Sequence, residues 1–172
     1  MSRILCATVA ALALWSIPSS AHADDWPSPA ESIVKQVLLD PTTFAPALTS
    51  YTAERLDWKS SQVFFAHGYL EHNAQFTISG FVDDVPISYA SGNRVILKNA
   101  LGDLGASLAN NVVARLVERS LARRYPRRER LIRTIGWIER MSFAVSLATV
   151  QSASHFRQWR ENDRLARELG YR

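Results

Sequence analysis

The fold is decided by the stretch from Tyr89 to Arg124, YASGNRVILKNALGDLGASLANNVVARLVERSLARR. Apolar side chains recur along it with a helical period, and Ser88 or Ser91 can cap its start. These apolar positions are Val95, Ile96, Leu97, Leu101, Leu104, Leu108, Val112, Leu116 and Leu121. Pro126 interrupts the pattern, which resumes over residues 127–169 as one very long helix or as two helices with a bend. The sequence therefore predicts a mainly α-helical bundle whose second half is a long antiparallel helical hairpin.

Shorter helices are expected before this hairpin. Ser28-Pro29-Ala30-Glu31 is a capping box with proline at the first helical position, which predicts a helix from Pro29 to about Leu39. Pro46 predicts a broken helical stretch over residues 42–52. A further helix is expected over about 53–70, and an irregular loop, or at most a small hairpin, over about 73–90.

The N-terminal residues predict export. Arg3 precedes an apolar stretch from Ile4 to Ile17, and Ala21-His22-Ala23 fits the small-x-small rule for signal cleavage. We therefore expect residues 1–23 to be a signal peptide and residues 24–172 to form a single helical domain. The one cysteine, Cys6, lies in the predicted signal, which argues against a disulfide scaffold or a cysteine-based site in the mature protein.

Charge divides the chain into an acidic first half and a basic second half. Residues 24–90 contain three basic and nine acidic residues, whereas residues 91–172 contain sixteen basic and seven acidic ones. The basic residues concentrate around the predicted turn, because residues 115–133 include eight arginines and two glutamates. Guanidinium groups bind phosphate and carboxylate in a planar, bidentate way. The candidate residues for contact with an anionic partner are Arg119, Arg123, Arg124, Arg127, Arg128 and Arg130.

Three interpretations of this arginine-rich turn remain open at the sequence level. It contacts anionic lipid, it contacts an envelope protein, or it is a solvated turn whose arginines partly pair with the acidic first half. A nucleic-acid partner is not expected, since an exported protein seldom meets one. The sequence does not determine the oligomeric state.

Two windows, 95–117 and 134–156, approach the length of a membrane span. Lys98, Asp103 and Arg115 lie in the first, and Glu139 and Arg140 lie in the second. Each charge near a helix centre costs about 2.5–3.5 kcal/mol on the insertion scale. We therefore expect a periplasmic protein, soluble or peripheral to the membrane, and the alternative is two short spans shielded inside a bundle or oligomer.

Asp57, His67, Glu71 and His155 are the candidates for catalysis. His67 and Glu71 lie four residues apart, so a continuous helix would let them share a metal ion. Their order, H-x-x-x-E-H, matches neither H-E-x-x-H nor H-x-x-E-H. The same helix would place five residues on one face, namely Asp57, Ser61, Phe64, Gly68 and Glu71. It would separate Asp57 from Glu71 by about 21 Å, too far for the paired carboxylates of a glycosidase.

Polar residues also interrupt the hairpin. Its expected register places Asp103 near Gln151, which lies one helical turn from His155. A buried carboxylate beside a histidine is either a proton relay or a polar pair that sets the helix register. No phosphate loop, dinucleotide fingerprint or EF-hand loop is present, so no cofactor is expected.

The stretch Leu56-Asp57-Trp58-Lys59-Ser60-Ser61, followed by Gly68, Glu71 and Asn73, resembles a pattern in small bacterial helical proteins. These proteins carry an aspartate, a serine or threonine four residues later, and then G-x-x-E-x-N, often followed by proline. Here Ala74 occupies the proline position. The family is often membrane-associated and has no established activity, so the resemblance implies only association with a membrane.

Together these patterns predict an exported, non-enzymatic helical protein of the cell envelope that contacts anionic lipid or a protein partner through its arginine-rich turn. The alternative is an envelope-associated hydrolase that uses a histidine–glutamate site, with or without a metal ion.

Overall fold

The structure, a computed structural model, describes residues 29–171, so the predicted signal peptide at residues 1–23 lies outside the described part. Its helices are α1 (Pro29–Leu38), α2 (Pro41–Ala66), α3 (Tyr89–Arg124) and α4 (Glu129–Glu168), with short 3-10 helices at Ala74–Phe76 and Pro126–Arg128. No β-strand occurs over residues 29–171. The predicted mainly α-helical bundle is confirmed, and the chain after Pro126 forms one long helix rather than two.

The predicted break at Pro46 is wrong, because α2 continues through this residue. Pro46 is the sixth residue of α2, so it removes only the second hydrogen bond of the helical ladder. Asp40 stabilises the same end of the helix, since its Oδ1 accepts the backbone N–H of Thr42 at 3.1 Å. Pro46 is also fully buried, and this packing adds to the factors that keep the helix intact.

The predicted end of α2 at Leu70 is also wrong, because the helix ends at Ala66. Gly68 adopts a left-handed backbone conformation with φ +85°. The N–H of Tyr69 bonds to the carbonyl of Phe64 at 3.1 Å, and the N–H of Gly68 bonds to that of Phe65 at 3.1 Å. This pair of bonds is a Schellman motif, which ends a helix and redirects the chain.

After this reversal the chain forms a folded loop rather than a strand pair. Isolated antiparallel bridges join Glu71 to Asp84 and Thr77 to Pro86. Phe76, between the bridges, is buried. The expected irregular segment is therefore present, and its bridges return the chain to the start of α3.

The chain divides into two compact units. The first contains the residues up to Thr43 together with Gly105–Phe143, and the second contains Phe44–Leu104 together with the residues from Ala144 onward. In the first unit, Arg140 of α4 donates to Glu118 of α3 at 2.8 Å, on opposite sides of the Pro126–Arg128 turn. This pairing is that of an antiparallel hairpin.

An aromatic cluster forms the core of the second unit. Trp58 of α2, Phe76 of the loop and Ile96 of α3 are buried together. The rings of Trp58 and Phe76 lie 5.0 Å apart between centroids, and the Trp58 indole N–H donates to the carbonyl of Tyr89 at 3.2 Å. The indole thus joins α2, the loop and the start of α3.

Among residues 29–171, no helix combines the length and the apolar character that a membrane crossing requires. The windows at 95–117 and 134–156 therefore do not qualify as spans.

Gly92 of α3 provides a test of this core. A Cβ atom at this position would lie 2.2 Å from Trp58 Cε2, so the indole or the helix would have to shift. We expect Gly92→Ala to lower the free energy of unfolding by about 1–3 kcal/mol, as overpacking of a core does. Urea denaturation monitored by circular dichroism would measure the change.

Gly102, on the same helix, supplies the matched control. No atom lies within 4 Å of a Cβ built there. Gly102→Ala should therefore raise the free energy of unfolding by up to about 1 kcal/mol through helix propensity. Equal effects of the two substitutions would contradict the packing assigned to Gly92.

Candidate functional site

The second unit contains a cavity of about 750 Å³. Helix α2 contributes Asp57 and Ser61 to its lining, the loop contributes Glu71, and α4 contributes His155 and Asn162. Aromatic and aliphatic side chains provide the remainder of the wall, among them Trp58, Phe64, Phe65, Leu70, Phe76 and Leu165. Polar and charged side chains thus converge on a wall that also has apolar and aromatic sections, and convergent polar groups in a cavity mark candidate small-molecule sites.

The central contact of this cavity is the pair formed by Asp57 and His155. Asp57 Oδ2 lies 2.8 Å from His155 Nδ1, and the two side chains are 16% and 23% exposed. An ionised carboxylate can only accept hydrogen bonds, so Nδ1 carries the proton and donates it. The pair was not foreseen in the sequence, because 98 residues separate the two partners.

Asn162 fixes the position of Asp57. Its Nδ2 donates to Asp57 Oδ1 at 3.4 Å and to the hydroxyls of Ser60 and Ser61 at 3.0 and 2.9 Å. Asn162 is itself 6% exposed, so these bonds are shielded from water. The Asn162–Asp57–His155 chain therefore has the order of an orienting group, a carboxylate and a histidine.

Glu71 reaches this cavity because α2 ends early. The predicted separation of about 21 Å between Asp57 and Glu71 assumed a helix rising 1.5 Å per residue, and it is wrong. The Schellman turn at Gly68 reverses the chain, so both carboxylates line the same cavity. Burial raises the pKa of Glu71, and the negative charge of Asp57 raises it further, although the Asn73 backbone N–H opposes the shift.

Glu54 was not singled out in the sequence, yet it also lines the cavity. It is buried, and its Oε2 accepts a hydrogen bond from Asn99 at 3.0 Å. Burial raises the pKa of Glu54, while the Asn99 hydrogen bond and the charge of His155 lower it in part. Glu54, Asp57 and Glu71 therefore bring three carboxyl groups to one cavity.

The pKa of His155 is raised. The hydrogen bond to Asp57 is the largest cause, burial opposes it, and the charges of Asp57, Glu54 and Glu71 add to the rise. The protonated imidazolium is thus favoured inside an acidic cavity.

His67 takes no part in this arrangement. Its ring stacks on that of Tyr171, with 3.7 Å between centroids, and its Nδ1 lies 2.7 Å from the carbonyl oxygen of Val63. The helix ends before it, so the helical spacing assumed for a His67–Glu71 metal pair is wrong. Over residues 29–171, no group of three or more histidine, cysteine, aspartate or glutamate side chains is arranged to hold a metal ion.

Asp103 forms its hydrogen bond with Ser50, whereas the hairpin register predicted from the sequence placed it near Gln151. Its Oδ2 accepts the hydroxyl of Ser50 of α2 at 2.6 Å, and both residues are buried. This contact belongs to the packing of α2 against α3.

The predicted anion-binding arginines all belong to the first unit, where Arg119 is half-buried and the others are exposed. Arg119 donates to Ser32 at 3.3 Å, and it lines a cavity of about 480 Å³ together with Arg115, Arg123 and Arg133. The guanidinium of Arg124 lies 5.8 Å from the ring centroid of Tyr125. The side chains of Arg123, Arg124, Arg127, Arg128 and Arg130 are exposed.

Beside this surface, a buried ion cluster surrounds Asp40. Its Oδ2 accepts Arg115 Nη2 and Arg140 Nε, each at 3.0 Å, and Arg140 also binds Glu118. Burial alone would raise the pKa of Asp40, but the hydrogen bonds from Thr42 and the charges of Arg140 and Arg115 hold it below its ordinary value. The sequence patterns did not single out Asp40, and only its position before the α2 proline could have marked it.

No protein-family model, curated protein or solved structure matches this chain. The resemblance drawn from Asp57, Ser61, Gly68, Glu71 and Asn73 therefore stays a prediction.

The Asp57–His155 pair predicts a pH-dependent stability. The folded state raises the pKa of His155 above its unfolded value of about 6.5, so the stabilisation is complete below that pH and is lost as the pH rises through the folded pKa. We expect His155→Gln to reduce the fall in unfolding free energy that occurs as the pH rises above about 6.5, measured by urea denaturation. His67→Gln is the control, and an equal effect of both substitutions would contradict the assignment.

The ion cluster around Asp40 predicts a large cost for removing Arg140. Arg140→Met leaves buried carboxylates without their partner, and we expect a loss of about 3–5 kcal/mol in unfolding free energy. The exposed pair of Arg133 with Glu129 provides the comparison, since Arg133→Met should cost at most about 1 kcal/mol. Similar losses for the two variants would show that the cluster does not act as a buried network.

Proposed function

We propose that this protein is an exported component of the cell envelope that contacts anionic lipid. The contact surface, here called the arginine turn, consists of Arg119, Arg123, Arg124, Arg127, Arg128 and Arg130. The observation that carries the proposal is the exposure of the last five of these side chains, which flank or lie in the Pro126–Arg128 turn between α3 and α4. Over residues 29–171, none of these five forms an ion pair with a carboxylate. The solvated pairing with the acidic first half is therefore not supported for them.

Apolar side chains beside the arginine turn favour a lipid surface over a purely polar partner. Leu131, Ile135 and Ile138 follow one another at helical steps of four and three, so they share a face of α4. They are 55%, 57% and 51% exposed, and Trp137 is 55% exposed. Indole rings and basic side chains are both enriched where a protein meets lipid headgroups.

The cavity of the first unit supports a contact with phosphate in particular. Four arginines line it with two glutamates, Glu118 and Glu129, so its charge is positive. Arg115 and Arg133 are neutralised in part by these carboxylates, whereas Arg123 forms no ion pair within residues 29–171. Guanidinium groups bind phosphate oxygens in a bidentate way.

Periplasmic localisation follows from the predicted signal peptide and belongs to the same proposal. The absence of a suitable spanning helix over residues 29–171 supports a peripheral rather than an integral attachment. A protein partner bound by the same arginines is the competing outcome, and the vesicle experiment distinguishes the two.

We expect the protein to sediment with vesicles of phosphatidylglycerol and phosphatidylethanolamine at low salt, and not with vesicles of phosphatidylcholine alone. Replacement of Arg127, Arg128 and Arg130 by glutamine should weaken the binding about 100-fold, because each basic residue near an anionic surface contributes about 1 kcal/mol. Added salt should weaken it in the same direction.

The matched control replaces Arg94, Lys98 and Arg160 by glutamine. These side chains are also exposed and carry the same total charge, but they lie outside the arginine turn. This variant should bind the anionic vesicles within a few-fold of the natural sequence. If the protein does not sediment with the anionic vesicles, or if both triple variants lose binding equally, the proposed lipid contact through the arginine turn is contradicted.

A further inference from the structure

We propose that the cavity of the second unit is an acid–base site for the hydrolysis of glycosides, with His155 as proton donor and Glu71 as proton acceptor. This activity is independent of the lipid contact proposed above. It rests on the hydrogen-bonded chain that orients His155, on the presence of Glu71 in the same cavity, and on the charge and shape of the wall.

Of the two ring nitrogens of His155, one is bonded within the protein and the other is available to a substrate. Its Nδ1 is committed to Asp57 at 2.8 Å, and Asp57 is in turn held by Asn162. Over residues 29–171, Nε2 has no hydrogen-bond partner, although the side chain lines the cavity. Asp57 and Asn162 are therefore positioning residues, and Nε2 is the atom available to a substrate.

Glu71 is held by its own segment and not by a cation. Its Oε1 accepts the backbone N–H of Asn73 at 2.7 Å, and its backbone is bridged to Asp84. No arginine or lysine of the described residues forms an ion pair with it. Its second oxygen is thus able to accept a proton from a water molecule in the cavity.

The charge of the cavity selects among hydrolytic reactions. Glu54, Asp57 and Glu71 all act on His155 through their charge. The other basic lining groups, His72 and Arg157, are both exposed, and His72 is paired with Asp83, so carboxyl groups dominate the field around His155. Ester and phosphate hydrolysis develop negative charge, which such a wall would repel. Glycoside hydrolysis passes through an oxocarbenium-like transition state with positive charge, which such a wall stabilises.

The shape and composition of the wall suit a carbohydrate. A volume of about 750 Å³ lies within the range of about 300–1,000 Å³ that small-ligand sites occupy. Phe65 and Tyr69 place aromatic rings in the wall, a type of group that packs on the C–H face of a sugar ring. Asn73 Oδ1 accepts the Gln75 N–H and Gln158 Nε2 donates to Asn162, so Asn73 Nδ2 and Gln158 Oε1 are the amide atoms assigned to sugar hydroxyls.

The reaction balances with water as the only co-reactant. Glu71 takes a proton from water while the water oxygen forms a bond to the anomeric carbon. The bond from that carbon to the glycosidic oxygen breaks, and the proton on His155 Nε2 passes to the leaving oxygen. The products are two free hydroxyl-terminated sugars, and solvent returns the proton from Glu71 to His155.

The protonation states agree with these roles. Burial raises the pKa of Glu71, and Asp57, Glu54 and Glu71 together raise that of His155. Glu71 faces Asp57 of α2 and its own neighbour His72, whose positive charge lowers the pKa of Glu71 in part. Activity should therefore rise as Glu71 ionises, above about pH 4.5, and fall as His155 deprotonates, above about pH 6.5.

The test incubates the full exported chain with chito-oligosaccharides, malto-oligosaccharides and bacterial peptidoglycan, and follows new reducing ends and product masses. We expect cleavage of at least one of these glycans, with a bell-shaped pH profile. Glu71→Gln and His155→Gln should each lower kcat at least about 100-fold. His67→Gln and Glu161→Gln, which change the same residue types outside the cavity, should leave kcat unchanged.

Asp57→Asn separates a positioning role from a merely structural one. Loss of the carboxylate should lower the pKa of His155, so the alkaline limb of the pH profile should move to lower pH while near-ultraviolet circular dichroism stays unchanged. p-Nitrophenyl butyrate and p-nitrophenyl phosphate are the comparison substrates. Failure to cleave any of the glycans, cleavage of only the ester or phosphate, or full activity of folded Glu71→Gln and His155→Gln would overturn the proposal.

Discussion

The first unit depends on the carboxylate of Asp40. One of its oxygens caps α2 through Thr42, and the other accepts Arg115 of α3 and Arg140 of α4. Such a buried charge is costly to desolvate, and only its several partners together compensate for that cost. The junction between α1 and α2 is therefore tied to both long helices by one side chain. This tie commits Arg115 and Arg140 to internal carboxylates, so the proposed lipid contact is assigned to other arginines.

The second unit depends on a different constraint, the reversal of the chain at Gly68. A helix continued to Leu70 would have carried Glu71 along the axis of α2, away from Asp57. The left-handed glycine instead returns the chain beside the helix, where Phe76 packs on Trp58 and Glu71 joins the cavity. Packing and site geometry thus have one common cause.

The two proposals depend on side chains of opposite charge, a basic surface for lipid and an acidic cavity for hydrolysis. The exposed arginines around Pro126–Arg128 suit anionic lipid, whereas the carboxyl groups of Glu54, Asp57 and Glu71 suit a reaction that develops positive charge. The difference in charge between the two halves of the sequence underlies both, because the acidic residues of the first half furnish the cavity.

The sequence by itself determined the helical class, the start of α1, and the bounds of α3, because apolar periodicity and capping act locally. It also determined where arginine accumulates. Only the tertiary structure decided that α2 passes through Pro46, since burial and the Asp40 cap outweigh one missing hydrogen bond. It alone joined Asp57 to His155 across 98 residues and brought Glu71 beside them. Contacts between distant residues follow from packing and from one glycine turn, and no local pattern of residues encodes them.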